Sequence, residues 1–525
     1  KTAPDPDYSP PRPFYSGSMD RVVIIDSAIT SAANATSLMN ADYSAYNRVF
    51  DMPLHGDFSI HSDTVAGIES HKMVEDPASN GGRNPKFAGS DAGHTPALLF
   101  DGVDDFLNTN NNAGTLVKWL TLRNLIIEGF DQPTFATEWD DYGTPSNADW
   151  EGAINMEYAE GITIDGCTIR RGGSRGIYID TCRNITVDGC TIHDVGYDGI
   201  AVRGLASIAE KGDGPIFIDN NTIYDSGERY WNSSGIICDY NGECYLRDNL
   251  IYNMPKSGIR IGRALSGLHN YAGKTIISGN RLRNCMETMA DSAAIYVNGW
   301  TADESRIDHN HIKDIIRTAA HDDIRTDDQP ANSIRGIYLD QGSANWKVDR
   351  NLVYRTGNAS LFMHIGGPGN VIENNIFVDA QSGSTHPNPA ASIAIKWKGT
   401  RESGDGSYDV YAGGDTVRWN IFYNRLGLPT IRYLLHNSSY YAAVGGVMGH
   451  HYENIAFPND LIWAYESPGT YSHEDLAYAL TTWSLQQGSV GSDPLFIDYA
   501  QDDFTIAPSS PALVVGFKPF TVTDF

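Results

Sequence analysis

Between residues 115 and 425 the chain alternates apolar and polar positions two by two in short runs, with no sustained helical spacing between them. One class of run keeps an asparagine in a fixed slot. The phrases IDNNTIYD, LRDNLIYN, ISGNRLRN, IDHNHIKD, VDRNLVYR, IENNIFVD and VRWNIFYN place Asn221, Asn249, Asn280, Asn310, Asn351, Asn375 and Asn420 in it, at intervals of 24 to 45 residues. Two earlier phrases, IDGCTIRR and VDGCTIHD, put Cys167 and Cys190 in the same slot. A second class follows after a variable loop: GIYID (176–180), GIAVR (199–203), GIICD (235–239), GIRIG (258–262), AIYVN (294–298), GIYLD (336–340), SLFMH (360–364) and SIAIK (392–396). Repeats of this length built from strands predict an all-β chain, a stacked parallel β-helix, with coils about 4.8 Å apart. The asparagines then form a ladder at a turn, satisfying one another and the backbone.

In the second class the apolar second and fourth residues face inward, so the third and fifth form two columns on the outside. Those columns hold Tyr178 and Asp180, Ala201 and Arg203, Ile237 and Asp239, Arg260 and Gly262, Tyr296 and Asn298, Tyr338 and Asp340, Phe362 and His364, Ala394 and Lys396. The outer face is expected to be aromatic and charged. Residues 1–114, with one clear strand VVIIDSAI among loops, read as an N-terminal cap and irregular first coils; 115–425 are the regular coils; 426–525 are final strands and a closing tail. Two coils are swollen, by IIRTAAHDDIRTDDQPANSIR and by AQSGSTHPNPAASIAIKWKGTRESGDGSYDVYAGG, and both insertions adjoin GIYLD and SLFMH. In a solenoid such insertions become loops that wall a cleft.

The formal charge of −27 argues against a nucleic-acid partner and for a highly solvated surface, such as saline or marine surroundings favour. No apolar run reaches membrane-spanning length, and the polar, Pro-rich opening KTAPDPDYSPPRP reads as a mature form whose export signal has been removed, so a secreted or periplasmic location is expected. The six cysteines define no disulfide framework and no zinc spacing. Cys167 and Cys190 read as a buried pair of thiols, and Cys238 and Cys244 flank a tight turn that they could close. Oligomeric state stays open.

The run GIYLDQGSANWKVDRNLVYRTGNASLFMHIGGPGNVIENNIFVDA and the ending SDPLFID…DFTIAPSSPALVVGF resemble the right-handed parallel β-helix carbohydrate-active enzymes, most closely the β-helical glycoside hydrolases of the xylosidase, fucosidase and endo-fucanase type. The resemblance spans about 115–425 plus the tail. It implies the right hand of the helix and hydrolysis of an extracellular polysaccharide that is fucose-rich or otherwise anionic, with sulfated fucan as a candidate; the open face of a solenoid favours endo action, while the two insertions could close one end and make it exo-acting.

Glycoside hydrolysis needs two carboxyl groups, about 5–5.5 Å apart for retention or about 6.5–9.5 Å for inversion. Asp239 and Asp340 share a column but stand three coils apart, roughly 14 Å, too far to be partners. Asp180 and Asp239 are two coils apart with Arg203 between, an arrangement equally suited to a surface salt-bridge ladder. Asp340 is the leading catalytic candidate, with His364 stacked beside it to orient the carboxylate, shuttle a proton or hold a sugar hydroxyl. A second carboxylate could come from Glu287 or Asp291, or from Asp322, Asp323, Asp327 or Asp328 in the acidic insertion. Arg203, Arg260, Arg263, His364 and Lys396 could bind sulfate or carboxylate, or neutralise the neighbouring aspartates. Tyr178, Tyr296, Tyr338 and Phe362, with Asn298, Trp300 and Trp397, suit sugar binding. No cofactor is required, and no metal site is assigned, although the acidic insertion could hold a structural calcium. Two other readings stay open: a polysaccharide lyase or epimerase, with His364 or Lys396 as base and Arg260 as neutralising group, and a noncatalytic glycan binder.

Overall fold

The computed structural model describes residues 117–130, 152–203, 215–239, 242–262, 271–301, 304–316, 334–364, 369–380, 391–397, 415–424 and 488–525, together with short strands elsewhere. Three long parallel sheets, of 11, 12 and 12 strands among the described residues, run the length of the molecule. Each coil contributes one strand to each sheet. In one coil Ile185–Asp188 lies in the first sheet, Thr191–Val195 in the second and Ile200–Arg203 in the third.

The interior is built from stacked aliphatic side chains, as the alternation requires. Ile177, Ile200, Ile236, Ile259, Ile295 and Ile337 stack in the third sheet, and Ile169, Ile192, Ile223 and Ile251 in the second; all are fully buried. At the corner between the first two sheets the asparagine ladder stands as expected. Asn310 Nδ2 donates to Asn351 Oδ1 at 2.9 Å and to the Ile277 carbonyl at 2.9 Å, while Asn310 Oδ1 accepts from Asn280 N at 3.0 Å and Asn280 Nδ2 at 2.9 Å. The same bonding joins Asn221 through Asn420, and Cys190 N donates to Asn221 Oδ1 at its start. The residue before each ladder position has a left-handed backbone: Gly166, Gly189, Asn220, Asp248, Gly279 and Asn374, and also His309, Arg350 and Trp419. That explains why glycine, asparagine and aspartate fill six of these nine positions.

All six cysteines are buried free thiols, with Cys238 Sγ 3.5 Å from Cys244 Sγ. The strand VVIIDSAI, and with it most of the expected N-terminal cap, falls outside the described residues, as does the acidic insertion. At the other end the tail from 488 folds back over the outer face of the second sheet. Phe504, Ile506, Val515 and Phe517 pack there on Tyr354, Ile376, Val378 and Tyr423. No described helix is long and apolar enough to cross a membrane.

Candidate functional site

The third sheet carries the columns read from the sequence, in the expected register. Tyr178 pairs with Ala201 and Asp180 with Arg203; Ile237 precedes Arg260, Arg260 precedes Tyr296, and Tyr296 and Asn298 lie beside Tyr338 and Asp340. Phe362 follows Tyr338, and His364 stands beside Lys396. One expectation needs correcting. The aromatic column points outward but is not an open platform: Tyr296, Tyr338 and Phe362 are only 7%, 2% and 4% exposed and, with Ala293 and Ala359, form a small core of their own outside the coil. Large rings stacked one coil apart bury each other's faces.

Within this cluster the polar atoms form a directed chain. Asn298 Nδ2 donates to the Tyr296 hydroxyl at 3.1 Å, and that hydroxyl donates to Asp340 Oδ2 at 2.8 Å. His364 Nδ1 lies 2.7 Å from Asp340 Oδ1 and 3.0 Å from the Tyr338 hydroxyl. The carboxylate is the nearer and stronger acceptor, so the Nδ1 proton belongs on the Asp340 side. Burial and the Asp340 carboxylate push the Tyr296 and Tyr338 phenols well above their ordinary pKa, which keeps both as O–H groups. Asp340 is 6% exposed, whereas the His364 side chain retains 17%. No described residue hydrogen-bonds His364 Nε2, the ring's remaining proton-handling atom. The strand is shaped for this: a register shift at Asn298/Trp300 follows Asp340, and Ser343 Oγ secures the turned backbone by donating to the Asp340 and Val297 carbonyls.

The other candidates separate clearly. Asp291 enters the same patch. It is one-third exposed, accepts from Arg335 Nη1 at 3.3 Å, and its charge helps raise the Tyr338 phenol. Glu287 sits in the preceding turn, with its backbone nitrogen bonded to the Met254 carbonyl. Asp239 pairs in register with Arg203 and acts electrostatically on Tyr197, within a different polar group. There Arg175 Nε donates to Asp198 Oδ2 at 3.0 Å, and the Arg175 guanidinium lies 4.7 Å from the Tyr197 ring centre. Trp300 lies opposite Ala344, and Trp397 follows Lys396 on the strand Ala391–Trp397. Arg263 and the four insertion aspartates lie outside the described residues. Among the described residues no three His, Cys, Asp or Glu side chains gather as metal ligands.

Arg335 escaped the sequence reading. Its guanidinium lies 4.3 Å from the ring centres of both Tyr338 and Phe362, and it bonds Asp291. A signal was present: Arg175-Gly-Ile-Tyr-Ile-Asp180 and Arg335-Gly-Ile-Tyr-Leu-Asp340 are two copies of one phrase, and in both the arginine packs on the tyrosine three residues on.

Residues 152–322 match the family described as "Right handed beta helix region". The chain is a right-handed parallel β-helix. Solved structures similar to it include a glycoside hydrolase (19% identity, 54% of this chain and 52% of that one, TM-score 0.43). Others are XylC in complex with xylose (13%, 76% and 57%, 0.39) and a mannuronan C-5 epimerase A-module of Azotobacter vinelandii (11%, 75% and 84%, 0.33). The β-helix thus spans about half the length of the first of these structures. These likenesses concern the fold. No curated protein sequence matches the chain.

Proposed function

We propose that this β-helix is a secreted glycoside hydrolase that cleaves an anionic extracellular polysaccharide, with sulfated fucan as the leading class, by endo attack along its third sheet. The observation that carries this reading is the relay Asn298–Tyr296–Asp340–His364, which ends in an imidazole Nε2 on the outer face. A second carboxylate in the scheme is Asp291, held by Arg335 at the start of the same strand pair. Hydrolysis needs one group to protonate the leaving oxygen and one to activate water. An imidazolium backed by Asp340 suits the first role and Asp291 the second; Asp340 is then the positioning residue, with both oxygens already engaged. Tyr296, with Asn298 behind it, supports that carboxylate, while Arg203, Arg260 and Lys396 serve the anionic groups of the substrate. No cofactor enters this scheme.

One observation favours a second reading. Because Asp340 is buried and bonded at both oxygens, the proton-handling group beside it is the His364 imidazole, which suits the removal of the proton beside a uronate carboxylate by a lyase or epimerase. A panel of sulfated fucans, xylans, carrageenans, alginate and pectin, followed at once for new reducing ends and for the ultraviolet absorbance of an unsaturated sugar, separates the two. Reducing ends without absorbance are expected; absorbance rising in step with them would establish the lyase. Binding without either product would leave a glycan-binding protein.

A further inference from the structure

Arg260 stands apart from the arginines around it. It occupies the outward column of the strand Ser257–Ile261, one coil before Tyr296, with its guanidinium carbon 5.7 Å from the centre of the Tyr296 ring. Arg175, Arg247, Arg306, Arg335, Arg355 and Arg418 each hold a carboxylate. Arg260 has no ion pair and no hydrogen bond among the described residues, and its Nε is shut off from water without a partner. In a chain with 65 acidic residues against 38 lysines and arginines, carboxylates are plentiful. The positive charge is nonetheless felt on both sides of it, favouring the ionised form of Asp198 against the burial that opposes it, and pulling the Tyr197 and Tyr296 phenols down against the burial that raises them. Arg260 therefore lies between the Arg175–Asp198 group and the Asp340 relay. A guanidinium that no described residue accepts from, on the outward column of the third sheet, is matched by a sulfate or carboxylate oxyanion.

We propose that Arg260 reads an oxyanion on a sugar unit flanking the one that meets His364. The register sets the axial separation: Arg260, in the neighbouring column, is two coils from Asp340 and three from His364, about 10 and 14 Å along the axis. That exceeds one sugar ring, so the anion it recognises belongs to a neighbouring unit of a chain laid along the helix axis. The inference deepens the proposed hydrolase and rests on its assignment of this face as the glycan surface.

The test is calorimetric binding by the full chain, with wild type, Arg260→Met and Arg260→Lys compared on sulfated fucan, on a polyuronate, and on the same polymers after desulfation or carboxyl reduction. The expected result is a roughly ten- to hundredfold weaker affinity of Arg260→Met for one charged polymer, no change for its neutral form, and partial recovery in Arg260→Lys. Which polymer shows the loss tells sulfate from carboxylate. Equal weakening on charged and neutral polymers, an unchanged affinity in Arg260→Met, or no binding to any charged polymer by wild type would overturn the proposal. Circular-dichroism melts confirm that the variants fold. Because the readout is affinity, a wild type that discriminates charge without turnover would sink the hydrolase and leave the role of Arg260 standing; turnover with no Arg260 effect would do the reverse.

Discussion

Tyr296 and His364 converge on the carboxylate of Asp340, and these contacts set what each neighbouring substitution should do. Tyr296→Phe removes the hydroxyl that serves Oδ2 and leaves Asn298 Nδ2 without that acceptor. A buried polar group losing its partner costs about 1–3 kcal/mol, readable as a lower urea midpoint at unchanged slope. On the proposed function, His364→Ala should lower kcat by roughly 10²–10⁴ with KM little altered, since it removes the proposed proton-handling group and leaves Arg203, Arg260 and Lys396 in place. A loss confined to KM would take His364 out of the chemistry. Asp415 gives a pH-dependent case. It is buried, its Oδ1 accepts from Asn370 N at 2.8 Å, its Oδ2 has no hydrogen-bond partner, and burial pushes its pKa up to about 7. An unfolded aspartate titrates near about 3.9, so the folded state binds the extra proton: stability from this group is full below about pH 4 and is lost as pH rises towards 7. Asp415→Asn should therefore leave acid stability little changed and raise the melting temperature above pH 7, by the equivalent of on the order of a few kcal/mol. A variant curve parallel to wild type at every pH would refute the assignment.

The strand is the element that the alternation determines, and the asparagine corner is what locks one coil to the next. Asn310→Ala would leave the Asn280 and Ile277 backbone groups and the Asn351 side chain each short of a partner, at a cost of about 3 kcal/mol or more, measured by chemical denaturation. Strand lengths were less legible. The alternation marks the five residues GIYLD, yet the strand runs from Ile334 to Ala344, because its polar flanks continue to pair with the long strand Ser292–Thr301 before and after the bulge. Polar flanking residues look like loop in a sequence because pairing depends on the neighbouring coil, not on local hydrophobicity. The bulge is also what sets Ser343 beneath the Asp340 carbonyl.

On the scale of the whole molecule, the closing tail ties the C-terminal residues to coils far back along the axis. Asn374 exchanges two 2.6 Å bonds with the Lys518 backbone, Arg355 pairs with Asp502, Arg281 donates to the Asp524 carbonyl, and Lys313 lies 4.3 Å from the Phe525 ring centre. Truncation after residue 488 would uncover Tyr354, Ile376, Val378 and Tyr423. With Phe504, Ile506, Val515 and Phe517 each worth about 1.5–3 kcal/mol when buried, the truncated chain should lose more than about 5 kcal/mol and bind a hydrophobic dye. A truncated chain as stable as the intact one would show that the coils need no cap there. The sequence alone determined the coil, the inward aliphatic stacks, the asparagine ladder and the register that brings Asp340, His364, Tyr296 and Asn298 to one face, because each follows from period-two alternation and a constant slot. Only the tertiary structure decided that the aromatic column is buried, that Asp340 has both oxygens engaged while no described residue bonds His364 Nε2, and that Arg335 packs on Tyr338 and Phe362 and holds Asp291. Those outcomes depend on which side chains meet across coils of unequal length, and on how much water they exclude, quantities that no single strand encodes.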